Sequence, residues 1–208
     1  MESNTVVNRH KERGKYDTGT IYGILDGSLI CHAAFSIDGL PYNMPMIPVR
    51  IDNMLYLHTS VKSRFYEALS NGSDVCIAAT LLDGIVLAKS AYNSSMNYRS
   101  TMVFGKLAPV TDPKEKLKAA HQLTEKIAGG RWADCRQPSE SELRATGFLK
   151  IPITTFSSKV REGPPIDNPE DLSLGHWSGV IPLWIARGEP LTSPNDEGRI
   201  TLPEYLKN

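Results

Sequence analysis

Three dipeptides constrain this chain more than any other feature. Asp38-Gly39, Asp52-Asn53 and Asp83-Gly84 each separate two apolar runs. Asp, Asn and Gly tolerate the positive φ that two-residue hairpin turns require, so neighbouring runs are expected to pair as antiparallel strands. The runs cover 29–37, 42–51, 54–58, 74–82 and 85–91, and further strands are expected over 98–110 and 148–160. Pro45 and Pro48 lack a backbone donor, which places 42–51 at an edge or at a bulge.

Helices are fewer. Asp17 or Thr18 caps a short one whose face is Ile21, Ile24 and Leu25, with Gly27 at its end. Asp112-Pro113-Lys114-Glu115 opens a longer one, with Leu117, Ala120, Leu123 or Thr124 and Ile127 as its stripe and Gly129-Gly130 as its stop. Ser139 and Glu142 form a capping box for a third. The fold class is mainly β (α+β): an antiparallel barrel with a few peripheral helices. One domain is expected over 1–208. Residues 1–16 read as an N-terminal arm. Residues 163–208 read as a tail packed on the barrel or on a neighbouring subunit, anchored by Trp177 and Trp184.

Charge and cysteine usage narrow the function classes. Lys plus Arg and Asp plus Glu both number 23, and a zero balance argues against a dedicated nucleic-acid binder. Cys31, Cys76 and Cys135 form no C-x-x-C pair, and Cys31 and Cys76 sit in apolar runs as small core residues. His10, His32, His121 and His176 have no ligand-like spacing to one another, so no metal site is expected. The polar start Met1–Thr5 is unlike a signal peptide, and the apolar run 75–82 is too short to span a membrane. A soluble, cytoplasmic protein that docks on no membrane is expected.

The segment 55–65 is the most informative for chemistry. A strand is expected to end at His58 or Thr59, and a helix to begin with Thr59 or Ser60 as its cap. The hydroxyls of Thr59, Ser60 and Ser63 and the cations of Lys62 and Arg64 then fall in the first turn. Cations oppose the macrodipole there, and a bound phosphate resolves the conflict. The alternative is a capped surface helix with two solvated basic residues. A second constellation, Lys89-Ser90 with Tyr98-Arg99, suits a flat polar ligand or is simply an exposed strand end.

Taken in order, several segments resemble one family. They are Arg9-His10 through Tyr16-Asp17, Cys31-His32, Leu57–Ser60 with Ser63-Arg64, Leu81–Ser90, Met96–Ser100 before Phe104-Gly105, Gly130-Arg131-Trp132, Lys159–Pro165 and Trp177–Leu183. Together, over about 9–185, the chain resembles the pyridoxamine 5′-phosphate oxidase-like flavin-binding proteins, in the branch that includes nitroimidazole-resistance reductases. The resemblance implies an FMN-binding split β-barrel that works as a homodimer with flavins at the subunit interface. It implies that FMN lies along Met46, Ile47, Pro48 and Val49. His58, Thr59, Ser60, Lys62, Ser63 and Arg64 would hold its phosphate end, and Lys89, Ser90, Tyr98 and Arg99 would lie near the ring. Trp177 and Arg187 are too far apart for the compact tryptophan–arginine pattern of true pyridoxamine phosphate oxidases.

The resulting expectation is an FMN-dependent oxidoreductase. It would pass electrons from a donor such as reduced nicotinamide to a small molecule, with nitroreductase-like chemistry as one form. His58 and Arg99 are the candidate catalytic residues, His58 as a proton donor and Arg99 as a partner for negative charge on the reduced ring. A non-catalytic flavin- or heme-binding carrier built on the same barrel is the alternative.

Overall fold

The computed structural model describes residues 5–207; the first four residues of the polar start and Asn208 lie outside it. Two antiparallel sheets, one of seven strands and one of four, wrap a common core. The strands are β1 (Gly14–Lys15), β2 (Cys31–Ile37), β3 (Leu40–Met46), β4 (Val49–Ile51), β5 (Met54–Ser60), β6 (Asp74–Leu87), β7 (Ser95–Lys106), β8 (Ala108–Pro109), β9 (Thr146–Pro152), β10 (Phe156–Arg161) and β11 (Gly179–Pro182). The helices are α1 (Thr18–Gly27), α2 (Arg64–Ser70), α3 (Pro113–Ile127) and α4 (Glu140–Ala145). The larger sheet runs β1-β10-β7-β6-β2-β3, with β11 also on β6; the smaller runs β4-β5-β9-β8. This is the split-barrel form of an α+β fold. Among the described residues no helix is long and apolar enough to cross a membrane.

Local signals fix the starts of the helices. The Asp17 carboxylate accepts from Thr20 N at 2.8 Å, and Ile21, Ile24 and Leu25 are buried as their spacing requires. Each such side chain contributes about 1.5–3 kcal/mol by leaving water. Ser139 and Glu142 complete their reciprocal cap on α4. Asp112 caps α3 through Lys114 N and Glu115 N, but Glu115 does not reach back to it. Its carboxylate instead accepts from Lys150 Nζ at 2.7 Å and from the Tyr56 hydroxyl at 2.8 Å. The Lys150 contact is the main cause that holds Glu115 below the usual carboxylate range. Burial, then Glu115, pushes the Tyr56 phenol up to about 12.

The smaller sheet is buried on both faces. Leu55, Leu57, Leu149 and Ile151 point into the core shared with the larger sheet. Tyr56, Phe148, Val49 and Ile51 point the other way, onto Ala119 of α3. This corrects the expected stripe of α3. Ala119, Ala120 and Leu123 face the protein, whereas Leu117 and Ile127 are exposed, because β4 and β5 meet the helix on one narrow side.

Three expected strands divide. The 42–51 run breaks at Ile47-Pro48, where the chain leaves β3 in one sheet and enters β4 in the other. The 148–160 run breaks after Pro152 in the same way, and 98–110 becomes β7 and β8. Pro45 does lie on an edge, since β3 ends the larger sheet. Asp38 and Gly39 both take positive φ, as a type I′ hairpin demands. Asp83-Gly84, however, is no turn. β6 runs straight through it, and Asp83 is the extra residue of a bulge opposite β7. Partners on both sides of β6 override the local turn preference. β7 holds one edge, while β2 covers 76–79 and β11 covers 84–87 on the other.

The tail is therefore not all loop. Leu183 N continues the β11 contact by donating to Asp83 O at 3.1 Å. Gly84 permits this approach, since a Cβ there would lie 3.0 Å from Val180 Cγ1. Trp177 and Trp184 do not anchor the tail by burial; they are 65% and 78% exposed. Cys31 is fully buried, and Cys76 is half-buried on the opposite side of the sheet. Of the arm, residues 11–13 form a 3-10 turn, and β1 then adds an edge strand to β10.

Candidate functional site

The 55–65 segment folds differently at its helix start. β5 continues to Ser60, Val61 N donates to Ala145 O, and α2 begins only at Arg64 with Ser63 as its cap. Thr59 and Ser60 are not the cap because strand pairing with Gly147 and Thr146 holds them extended. Lys62 consequently lies before the helix, and Arg64 is its first residue. The expected conflict with the macrodipole applies to Arg64 alone.

The segment nevertheless gathers polar groups in one short bend. Thr59 Oγ1 and Ser63 Oγ are 3.0 Å apart, and Ser63 Oγ accepts from Tyr66 N. Ser60 Oγ accepts from Lys62 N at 3.2 Å. Arg64 donates from Nη1 to the Tyr42 hydroxyl at 3.1 Å, with its guanidinium above the same ring. Tyr42 in turn stacks on Phe35, and Phe35 meets Phe65 edge-on, with centroids 5.4 Å apart in both pairs. This aromatic ladder joins β2, β3 and α2 and sets the direction of Arg64. Among the described residues neither Lys62 nor Arg64 pairs with a carboxylate.

His58 is half-buried beside this bend, opposite Phe148 on β9. Its Nδ1 is buried and has no hydrogen-bond partner among the described residues. Burial holds its pKa below the ordinary histidine value, so the ring is neutral near pH 7. Val49 pairs with Tyr56, two residues before His58, and Met46 and Ile47 lead into it across the gap between the sheets. Of the four expected residues only Val49 therefore lies on the strand paired with β5; Met46 ends β3 in the other sheet, and Ile47 and Pro48 form the crossover between them.

The second expected constellation is placed elsewhere. Lys89 Nζ donates to the carbonyls of Leu174 and His176, and its backbone N donates to Asp167. Ser90 is used within the turn between β6 and β7, through Asn93 N and Ser94 Oγ. Tyr98 pairs with Leu82 and Arg161 within the larger sheet. Arg99 grips Asp83 with two bonds of 2.7 and 2.9 Å. Lys89 and Arg99 are therefore satisfied by the tail and the bulge. Beside Arg99 an open cavity of about 550 Å³ is lined by Leu81, Leu82, Leu183, Trp184 and Ile185. Sequence reasoning missed Tyr42 as the support of Arg64 and Trp184 as a wall of this cavity. A tyrosine in a proline-containing edge strand carried no signal of the first role, and Trp184 read only as an anchor of the tail. Among the described residues no group of three or more His, Cys, Asp or Glu side chains is set to hold a metal.

The sequence profile of the pyridoxamine 5′-phosphate oxidase family matches residues 17–160, more than two-thirds of the chain. The chain belongs to this family. No curated protein matches the sequence. Among solved structures, the flavocytochrome Anf3 from Azotobacter vinelandii is 32% identical with a TM-score of 0.92, over 98% of this chain and 95% of that one. The FAD and heme binding protein from Mycobacterium smegmatis is also 32% identical, with a TM-score of 0.89, over 93% of this chain and 95% of that one. A putative 5-nitroimidazole antibiotic resistance protein from Bacteroides thetaiotaomicron shares the fold at 24% identity and a TM-score of 0.60, over 71% of this chain and 86% of that one.

Proposed function

We propose that this protein is a flavin-dependent redox protein whose cofactor is held by its phosphate end at the bend between β5 and α2. One observation carries the reading. Among the described residues Lys62 and Arg64 stand free of carboxylates beside three hydroxyls, and the buried His58 Nδ1 next to them lacks a partner. A phosphate fits that set, since it would accept from both cations and from Ser60. A planar ring reaching back along Val49 would offer His58 Nδ1 the hydrogen bond it lacks. Family membership and the two 32%-identical neighbours, one named a flavocytochrome and one an FAD and heme binding protein, support the reading.

When bound, the flavin supplies the electron-transfer chemistry. The chain's own residues bind and orient it. Lys62 and Arg64 neutralise the phosphate, Tyr42 fixes the direction of Arg64, and His58 is a neutral hydrogen-bonding group within reach of the ring. FMN and FAD both present a phosphate at this position, and the Mycobacterium smegmatis neighbour favours FAD. Reduced nicotinamide as donor, a small-molecule acceptor and a homodimer belong to the same proposal. Exposed apolar side chains such as Leu82, Met102 and Trp184 support the homodimer.

A second reading adds heme to the flavin, as the name of the Mycobacterium smegmatis neighbour describes. The apolar cavity against Trp184, Leu183 and Leu82 is the observation that favours it. Absorption spectra of the purified protein, followed by titration with FMN, FAD and hemin, test both. Flavin bands with saturable binding support the first reading, and an added Soret band supports the second. A colourless protein that binds neither flavin overturns the proposal.

A further inference from the structure

The segment Lys159–Pro165 stands out in the sequence, yet the flavin site uses none of it. It contains Arg161, the last residue of β10, which is only 8% exposed. A buried guanidinium ordinarily meets a carboxylate, because uncompensated burial of charge is costly. Among the described residues Arg161 meets none. Its Nη1 donates to Asn97 Oδ1, a neutral oxygen, and Asn97 itself is fixed by donating to Gly163 O at 3.1 Å. Its remaining guanidinium donors have no acceptor among the described residues. Burial, then the nearby charge of Arg13, pulls Arg161 down from the ordinary arginine range.

Arg161 lines an open cavity of about 250 Å³ together with Arg13 and Lys15. The arm delivers these two cations, because β1 pairs Gly14 with Lys159 and Lys15 with Ser158. Glu12 and Glu162 also line the cavity. Glu12 is largely exposed and divides itself between Arg13 at 3.6 Å and His10 at 3.2 Å. Among the described residues Glu162 and Lys15 form no ion pair. Three cations thus meet two carboxylates, and the most buried cation has neither.

We propose that Arg161, Arg13 and Lys15 form a binding site for the carboxylate or phosphate group of a small ligand. Guanidinium forks match both groups in geometry. The cavity is smaller than the roughly 300 Å³ at which pockets begin to hold whole drug-sized ligands, so it takes the anionic end of the ligand. The site shares no residue with the Thr59–Arg64 bend and stands independently of the flavin reading.

Calorimetric titration of the full chain at low ionic strength, with inorganic pyrophosphate in one arm and succinate in the other, tests this. Saturable binding of one anion is expected, and which one binds identifies the group as phosphate or carboxylate. The double variant Arg13→Gln/Lys15→Gln, altered only in the arm, should lose at least tenfold in affinity. Lys118→Gln, which removes an exposed cation of α3 outside both sites, should titrate like the parent. The proposal is overturned if neither anion binds, if the arm variant binds as tightly as the parent, or if Lys118→Gln loses as much affinity as the arm variant.

Discussion

Arg64 at the start of α2 and Arg99 on β7 are both exposed guanidinium groups, yet among the described residues only Arg99 has a carboxylate. Asp83, pushed out by the bulge in β6, closes a two-bonded fork on Arg99. Arg64 rests on the neutral phenol of Tyr42, and among the described residues no carboxylate meets it. From sequence the two look alike, each beside an aromatic or hydroxyl residue at the end of an element. The difference teaches that a cation's availability is set by what the fold places opposite it, not by its own neighbours in the chain.

The comparison can be broken or sharpened by substitution. The largest effect is expected from Lys62→Ala with Arg64→Ala. Charge-assisted hydrogen bonds contribute about 1.5–3 kcal/mol each, so flavin affinity should fall by roughly one to two decades per cation, read by fluorescence quenching. An unchanged affinity would place the phosphate elsewhere. Gly147→Ala comes next. Its Cβ would lie 2.4 Å from Tyr66 Cδ2, so α2 must shift against β9. Overpacking of this kind costs about 1–3 kcal/mol, measurable by urea unfolding, and should loosen flavin binding as the bend moves.

A pH effect of His58 follows. Its folded pKa is depressed below the ordinary 6.5, so the unfolded chain binds the proton more readily. The contribution is fully present above about 6.5 and is lost as pH falls through that value toward the folded pKa. Urea midpoints at pH 7.5 and 5.5 should therefore differ less in His58→Gln than in the parent (both pH values about one unit from the ordinary histidine range). The smallest effect is expected for Asp83→Asn. An exposed pair contributes about 0.2–1 kcal/mol, so the unfolding midpoint should move little and flavin affinity not at all. A tenfold loss of affinity there would make the alignment of Arg99 part of the site and erase the contrast with Arg64.

Much of the fold was legible where one side chain decides a local hydrogen bond. Asp17, Asp112 and Ser139 marked helix starts, and Asp38-Gly39 marked a hairpin, because each choice is settled within four residues. The rest depended on distant partners. Nothing near Ile47-Pro48 announces that the chain changes sheets there. Asp83-Gly84 has the chemistry of a turn but is stretched by β7 and β11. Ser60 reads as a helix cap until Thr146 on β9 is known to pair with it. For the candidate site, the residues of the bend were legible and its geometry was not. The support from Tyr42, the orphaned Nδ1 of His58 and the engagement of Lys89 and Arg99 all arise from contacts across sheets or with the tail.

β6 is longer than any single neighbour on its outer side, and β11 fills what β2 leaves open. A protease that cut between Gly163 and Gly179 would free that short tail strand. It would bare a row of unsatisfied amides and carbonyls in the middle of the molecule, beside Leu82 and Ile85. Such a margin invites foreign strands, so β11 guards the sheet against strand addition while Leu183 and Trp184 beyond it wall the cavity beside Arg99.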